Sequence, residues 1–323
     1  MILDRRSFIK STLLSSCSFL LPPAVLDLWT GEEQSLRLGL ITDLHKDIIH
    51  DADLRLQTFL EALNSVSPHA KIQLGDFAIP KKENQAFIDS FNQGPIPSLH
   101  VIGNHDLDEG KTKEQVIQSF GMPAAYYFQV IQGVRILVLD GNDPGSPKYT
   151  GGYASYIGKE QQDWLNQQLV DSMEPVIVIS HQPIAGTYTM DNATEIQALL
   201  SAHSSKIILA INGHAHVDQF LKVGKIPYLH LNSASYYWVG EKHKHYSMDA
   251  ATHSKFPDLS RTCPYEEVLF GILSLDKKEG RLTLSGTTSR WIGPSPLELG
   301  YEILSKAEQE LYVQPQISNR IIS

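Results

Sequence analysis

The sequence predicts an α/β protein, and three features predict it. From residue 35 to about 218, short apolar runs alternate with segments of helical spacing. Most of these runs are apolar throughout, as in strands covered on both faces, rather than alternating as half-exposed strands do. Several end abruptly in glycine, carboxylate or imidazole, at the place where an open α/β sheet gathers its ligands.

Residues 36–42 (LRLGLIT) read as the first strand. A helix over 53–66 places Leu54, Leu56, Phe59, Leu60 and Leu63 near helical spacing and closes at Pro68. Strands at 71–74 and 98–102 enclose a helix at 82–91. Residues 126–131 and 134–139 read as a pair turning at Gln132-Gly133. A helix over 159–170 sets Trp164, Leu165 and Leu169 on one face, and strands at 176–179 and 207–211 enclose a helix at 194–202. This is the βαβ rhythm of a sheet covered on both faces. Beyond 218 the rhythm changes. Residues 220–223, 228–231, 269–275 and 281–286 read as strands joined by turns, from which a second sheet packed on the first is expected. Residues 233–264 have no period and are expected to be a long loop insertion; the tail, 294–323, shows no clear pattern.

With 42% hydrophobic and 20% charged residues among 323, the chain has the composition of an ordinary globular protein. Its formal net charge of -9 argues against a nucleic-acid surface or a general affinity for anionic membrane, while leaving a small phosphate ester open as substrate. Residues 1–30 read as a signal segment. Arg5-Arg6-Ser7-Phe8-Ile9-Lys10, followed by an apolar stretch broken at Pro22-Pro23, resembles a twin-arginine export signal, with the periplasm or cell envelope as the expected location. The apolar part is too short and broken for a membrane span. Cys17, preceded by Leu14-Ser15-Ser16, resembles a lipoprotein cleavage box and is a candidate lipid anchor. Cys263 would then be the only thiol, leaving no intramolecular disulfide.

Asp43 and His45 stand two residues apart where the first strand gives way to a loop, so strand alternation would point them the same way. An oxygen and a nitrogen donor together suit a borderline divalent metal. Alone, Asp-x-His is common. Four further clusters close predicted strands: Gly75-Asp76, Gly103-Asn104-His105-Asp106, Ser180-His181 and Gly213-His214-Ala215-His216. Individually, Gly-Asp reads as a turn and His181 as a satisfied loop histidine. Their joint placement reads as one site.

In this order the clusters resemble the calcineurin-like metallophosphoesterases over residues 36–220. The resemblance implies a four-layered α/β/β/α sandwich of two mixed β-sheets flanked by helices, with a catalytic domain over 31–293. It implies two metal ions: Asp43, His45 and His216 on the first, Asn104, His181 and His214 on the second, and Asp76 bridging them. The implied activity is hydrolysis of a small phosphate mono- or diester by a metal-bridging hydroxide. His105 would contact the phosphate and protonate the leaving oxygen, with Asp106 fixing its ring. Imidazole, carboxylate and amide donors without thiolate suit Fe, Mn or Zn. Protein phosphatases of this superfamily carry Asp-Arg three and four positions beyond the bridging Asp, and purple acid phosphatases carry Tyr at the first of these. Here Ile79 and Pro80 occupy those places, which disfavours both branches. The Gly- and Tyr-rich stretch 149–156 and Tyr236-Tyr237-Trp238 are candidate pocket walls; His243 and His245 read as solvated loop charges. A non-catalytic binding module of the same fold is the alternative. It would be expected to have lost ligands, and none is lost.

Overall fold

A computed structural model describes residues 21, 23–29, 34–302 and 305–322; the arginine pair, the rest of the export-like motif at 4–10 and Cys17 lie outside the described residues. The first run of elements is α1 (Pro23–Leu28), β1 (Ser35–Ile41), α2 (Ala52–Val66), β2 (Ala70–Gln73), α3 (Gln85–Asn92), β3 (Ser98–His100) and α4 (Lys113–Phe120). A second run comprises β4 (Tyr127–Ile131), β5 (Val134–Val138), α5 (Lys159–Asp171), β6 (Val176–Ser180), α6 (Ala193–Ala202), β7 (Ile207–Asn212), β8 (Gln219–Val223) and β9 (Ile226–His230). The last part contains β10 (Tyr236–Trp238), α7 (Ala250–Lys255), β11 (Thr262–Pro264), β12 (Gly271–Asp276), β13 (Arg281–Gly286), α8 (Lys306–Tyr312) and β14 (Arg320–Ile321).

Two six-stranded mixed sheets result. One has the order β14-β13-β12-β1-β2-β3, with β1, β2 and β3 parallel; the other has the order β4-β5-β6-β7-β9-β8, with antiparallel edge strands. Their facing sides share one apolar layer. Leu36, Leu38 and Leu40 of β1 meet Ile136 and Val138 of β5 and Ile177 and Ile179 of β6 there. On the outer face of the first sheet, Phe59, Leu63, Phe87, Phe91 and Phe120 bring α2, α3 and α4 down onto Ile41 and Ile102. On the outer face of the second, Leu165, Leu169, Ile196 and Leu200 do the same for α5 and α6. Strands buried on both faces must be apolar on both faces, which is why these runs lack alternation. The four-layered sandwich is therefore the observed architecture.

The late strands do not build a second sheet of their own. The sheets divide between β3 and β4; β8 and β9 complete the second, while β12 returns to pair with β1 and, with β13 beyond it, extends the first. An antiparallel partner for β1 can come from anywhere in the chain, because pairing needs only a matching apolar face, and sequence order does not reveal it. The stretch 233–264 carries β10 paired with β11, and also α7. The tail contributes α8 and β14, the latter paired with β13. Helix α4 was missed although Thr112 and Gln115 form a capping box and Gly121 closes it, a signal readable in the sequence.

Residue 21 and helix α1 with Trp29, grouped above with the signal segment, pack into the inter-sheet core. Leu21, Val25 and Trp29 are buried there, the Leu21 N–H donates to Gly280 O, and Trp29 Nε1 donates to Gln132 O at 2.7 Å. Among the described residues no helix is long and apolar enough to cross a membrane. Trp29→Ala should destabilise the fold by about 3–5 kcal/mol, measured as a lower urea midpoint at unchanged m-value.

Candidate metal centre

The parallel strands of both sheets end at one edge, and all seven expected donors lie in the loops just beyond. Strand β1 stops at Ile41, so Asp43 and His45 are not strand residues and alternation does not aim them. Left-handed backbone does. Asp43, His45, Asp76, His214 and His216 all have φ between 50° and 66°. Non-glycine residues rarely adopt this region, with Asp and His among the more tolerant, and such outliers gather at functional sites. Gly75 precedes Asp76 with φ 101°, and a Cβ there would run into the His181 ring. A Cβ at Gly213 would run into Thr42 and the Asp43 carboxylate. Both positions therefore need glycine.

Backbone bonds lock these loops together. Asp43 N donates to Gly75 O, His45 N to Asp76 O and Lys46 N to Phe77 O. From the other side, Ser233 Oγ donates to Asp43 O at 2.9 Å and Ser235 Oγ to Leu44 O at 2.8 Å. The buried Arg55 of α2 donates to Ala234 O and Tyr265 O while pairing with Asp51, pinning the segment that carries both serines. None of these supports between loops was visible in the sequence, because they join residues from about 30 to about 210 positions apart.

Two groups of candidate ligands result: Asp43, His45 and His216, and Asp76, His181 and His214, the donor atoms of each lying within 4.8 Å of one another. His216 Nε2 is 3.1 Å from Asp43 Oδ1, and His181 Nε2 is 3.1 Å from Asp76 Oδ2. His45 Nε2 lies 3.8 Å from Asp43 and 3.7 Å from Asp76. Asp76 thus faces both groups. The tautomers say what belongs between these atoms. His216 Nδ1 donates to Tyr236 O and His181 Nδ1 to Leu74 O, each at 2.8 Å, so in the neutral rings Nε2 is a bare lone pair aimed at a carboxylate. Acceptor facing acceptor calls for a cation. The separations are those of neighbouring donors around an ion with bonds of about 2.0–2.2 Å. His45 Nε2 and Asn104 Oδ1 are in addition buried without a hydrogen-bond partner. The donor set fits two metal ions.

The electrostatics agree. Burial holds His45 neutral, its pKa pushed down to about 3, and pushes His214 down to about 4. Burial opposes the charge on Asp43, yet the His216 and His181 imidazoles hold its carboxyl below the ordinary value. Burial likewise disfavours protonation of His181, but Asp76 and Asp43 outweigh it and raise the ring to about 9. The carboxylates that draw a proton to His181 would draw a metal ion in its place.

His105 sits at the edge of both groups, its N–H donating to Asp76 Oδ1 at 2.8 Å. The expected orienting residue, Asp106, does not touch its ring. Asp106 is fully buried and accepts the backbone N–H groups of Asp76, Phe77, Ala78 and Gly103 at 2.8–3.1 Å, tying the β2 and β3 loops together. The next residue but one does the orienting: Asp108 Oδ2 is 2.7 Å from His105 Nδ1. Tyr153, from the Gly- and Tyr-rich stretch, donates to Asp108 Oδ1 at 2.7 Å. The chain turns back through a short 3-10 helix after Asn104, which brings Asp108 under the ring and takes Asp106 away from it. Burial works against protonating His105, but Asp76 and Asp108 raise it to about 9.

Tyr236, Tyr237, Trp238 and Tyr153 do line the centre, whereas Tyr149 is exposed away from it. Tyr188 and Tyr301, which sequence reasoning did not single out, line it as well. His243 and His245 stand apart from both ligand groups, half-buried and bonded to backbone carbonyls.

A family model for calcineurin-like phosphoesterases matches residues 36–218. The chain belongs to this family of metal-dependent phosphoric ester hydrolases. A Synechococcus protein described as a probable cyclic nucleotide phosphodiesterase is 27% identical over 204 residues, which are 58% of this chain and 76% of that one. Among solved structures, a dimetal phosphatase from Danio rerio superposes with a TM-score of 0.57 at 15% identity, over 80% of this chain and 99% of its own. GAP50, the anchor in the inner membrane complex of Plasmodium, superposes with a TM-score of 0.54 at 13% identity, over 88% and 90%. These two share the fold.

The two neighbouring carboxylates should separate by experiment. Asp106→Ala orphans four buried N–H groups and should cost at least about 3 kcal/mol of stability, read from thermal or urea unfolding. Asp108→Asn should leave stability nearly unchanged but lower turnover about 10- to 100-fold. A general acid works while protonated, so activity falls as pH rises past its pKa. Without the Asp108 charge that falling limb should move to lower pH.

Proposed function

We propose that the protein is an exported, metal-dependent phosphoesterase that hydrolyses a phosphate mono- or diester, with His105 protonating the leaving oxygen. The observation that carries this reading is the meeting of two candidate ligand groups at Asp76, with the His105 imidazole, held by Asp108, at their edge. Asp43, His45 and His216 would hold one ion, Asn104, His181 and His214 the other, and Asp76 both; Fe, Mn and Zn suit these donors. When bound, such a pair neutralises phosphoryl oxygens and supplies an activated water for in-line attack. The protein's own groups do the rest. The left-handed loops hold the donors open toward the cavity. Asp108 engages Nδ1 of His105, so the transferable proton is on Nε2, and the Asp108 charge favours the protonated ring. Among the described residues no side chain is placed as a nucleophile, so no covalent intermediate on the protein is expected. The Synechococcus relative makes a cyclic nucleotide a natural first substrate to test. The likeness to GAP50 supports a binding role as the second reading, and the complete donor set weighs against it.

His105→Ala should retain two metal equivalents per chain while turnover falls about 100- to 10,000-fold, followed by metal analysis alongside steady-state kinetics. Full turnover in that variant would remove His105 from the mechanism. A protein that binds no Mn, Fe or Zn and hydrolyses no ester would favour the binding role.

Export rests on Arg5-Arg6 and the apolar stretch after it, and the burial of Leu21, Val25 and Trp29 supports a leader that ends before Leu21. Replacing Arg5 and Arg6 together by Lys should trap folded protein in the cytoplasm, measured by cell fractionation. Release of the wild-type protein from membranes by Cys17→Ser would identify a lipid anchor at that residue.

A further inference from the structure

The metal centre opens into two cavities of different chemistry. Both are lined by His45, Asp76, His105, Tyr153 and Trp238, so they meet at the place where the phosphorus would sit. One, of about 240 Å³, is walled by Tyr188, Tyr236, Tyr237, Trp238 and Tyr301. The other, of about 510 Å³, is bounded by Asp47, Lys81, Asp108, Glu109, Asp258 and Arg261.

The aromatic wall is built rather than incidental. The Tyr237 and Tyr301 rings meet edge-on at 5.6 Å, with Tyr188 in the same wall. Tyr188 is held at φ 54°, an outlier for a bulky residue, at the cavity mouth. Trp238 is 37% exposed, leaving apolar ring surface for a partner. In the polar cleft every cation already has its carboxylates: Lys81 pairs with Asp47 and Glu109, and Arg261 with Asp258 and Glu241. An incoming anion would face those carboxylates together with Asp108, and would have to displace an existing pair. Hydroxyl groups could instead bond with such pairs without carrying charge.

We propose that the preferred substrate is a linear phosphodiester with an aromatic arm, a nucleobase or aryl group, in the tyrosine-walled cavity and an uncharged hydroxyl-bearing arm in the cleft between Lys81 and Arg261. This rests on the phosphoesterase reading above and narrows its substrate. A cyclic diester closes both ester oxygens onto one sugar, so it cannot send separate groups into the two cavities. A monoester leaves one cavity empty.

The test uses two diesters that differ in one arm, adenosine 5′-(glyceryl phosphate) and adenosine 5′-(methyl phosphate), with 3′,5′-cyclic AMP for comparison. Binding is read from Trp238 fluorescence in metal-free protein, with Trp238→Phe as the control for the signal; hydrolysis is read in Mn-loaded protein. The glyceryl diester should bind about tenfold tighter than the methyl diester and turn over with the higher kcat/KM. Arg261→Ala should bring the ratio of the two affinities close to one. Tyr188→Ala should weaken both linear diesters about tenfold. Equal binding of the two linear diesters, or preference for the cyclic one, would overturn the proposal. Binding in the expected order with no hydrolysis would defeat the phosphoesterase reading and leave the two-arm assignment standing.

Discussion

Lone pairs face carboxylate oxygens across 3–4 Å at the shared edge of the two sheets, and much of the structure is devoted to holding them there. Five of the donor residues sit in left-handed backbone. Each such residue carries strain of order 1–3 kcal/mol, at the low end for Asp and His, so the sum approaches the whole stability of an ordinary domain. Such a loop set persists only where its surroundings over-determine it. Here the determinants are the inter-loop backbone bonds, Gly75 and Gly213, and the Ser233, Ser235 and Arg55 clamp, all backed by two apolar sheets that cannot shift independently.

Two carboxylates two residues apart divide the work around His105. Asp106 spends both oxygens on four backbone N–H groups and acts as a rivet between loops. Asp108 is partly exposed and reaches the imidazole, with Tyr153 fixing its second oxygen. A carboxylate saturated by main-chain donors has no oxygen left to orient a ring, so counting its bonds separates the roles. Tyr153 belongs to a loop between β5 and α5, so the second sheet reaches over to buttress the imidazole carried by the first.

The candidate metal ligands and the cavity walls come from different parts of the chain. The donors lie between Asp43 and His216, inside the region shared with the family. The walls that would meet a substrate's arms draw on Tyr188, β10, Asp258, Arg261 and Tyr301, mostly beyond it. A fold shared with both a dimetal phosphatase and a membrane-complex anchor cannot itself specify activity; that rests on the side chains set into it.

The sequence by itself determined the strand and helix rhythm, because apolar runs without alternation are local patterns, and the order of its strand-end clusters carried the family resemblance that implied four layers and seven candidate donors. Tertiary structure decided whatever depended on distant segments meeting. It split the sheets between β3 and β4 and sent β12 back to β1, because strand pairing ignores sequence order. It gave the ring of His105 to Asp108, because a short 3-10 turn changes which carboxylate lies beneath an imidazole by a few ångströms. It also replaced strand alternation with left-handed backbone as the device that converges Asp43 and His45. Left-handed φ at a non-glycine residue has no local signature; it is imposed by contacts made some 30 to 190 residues away.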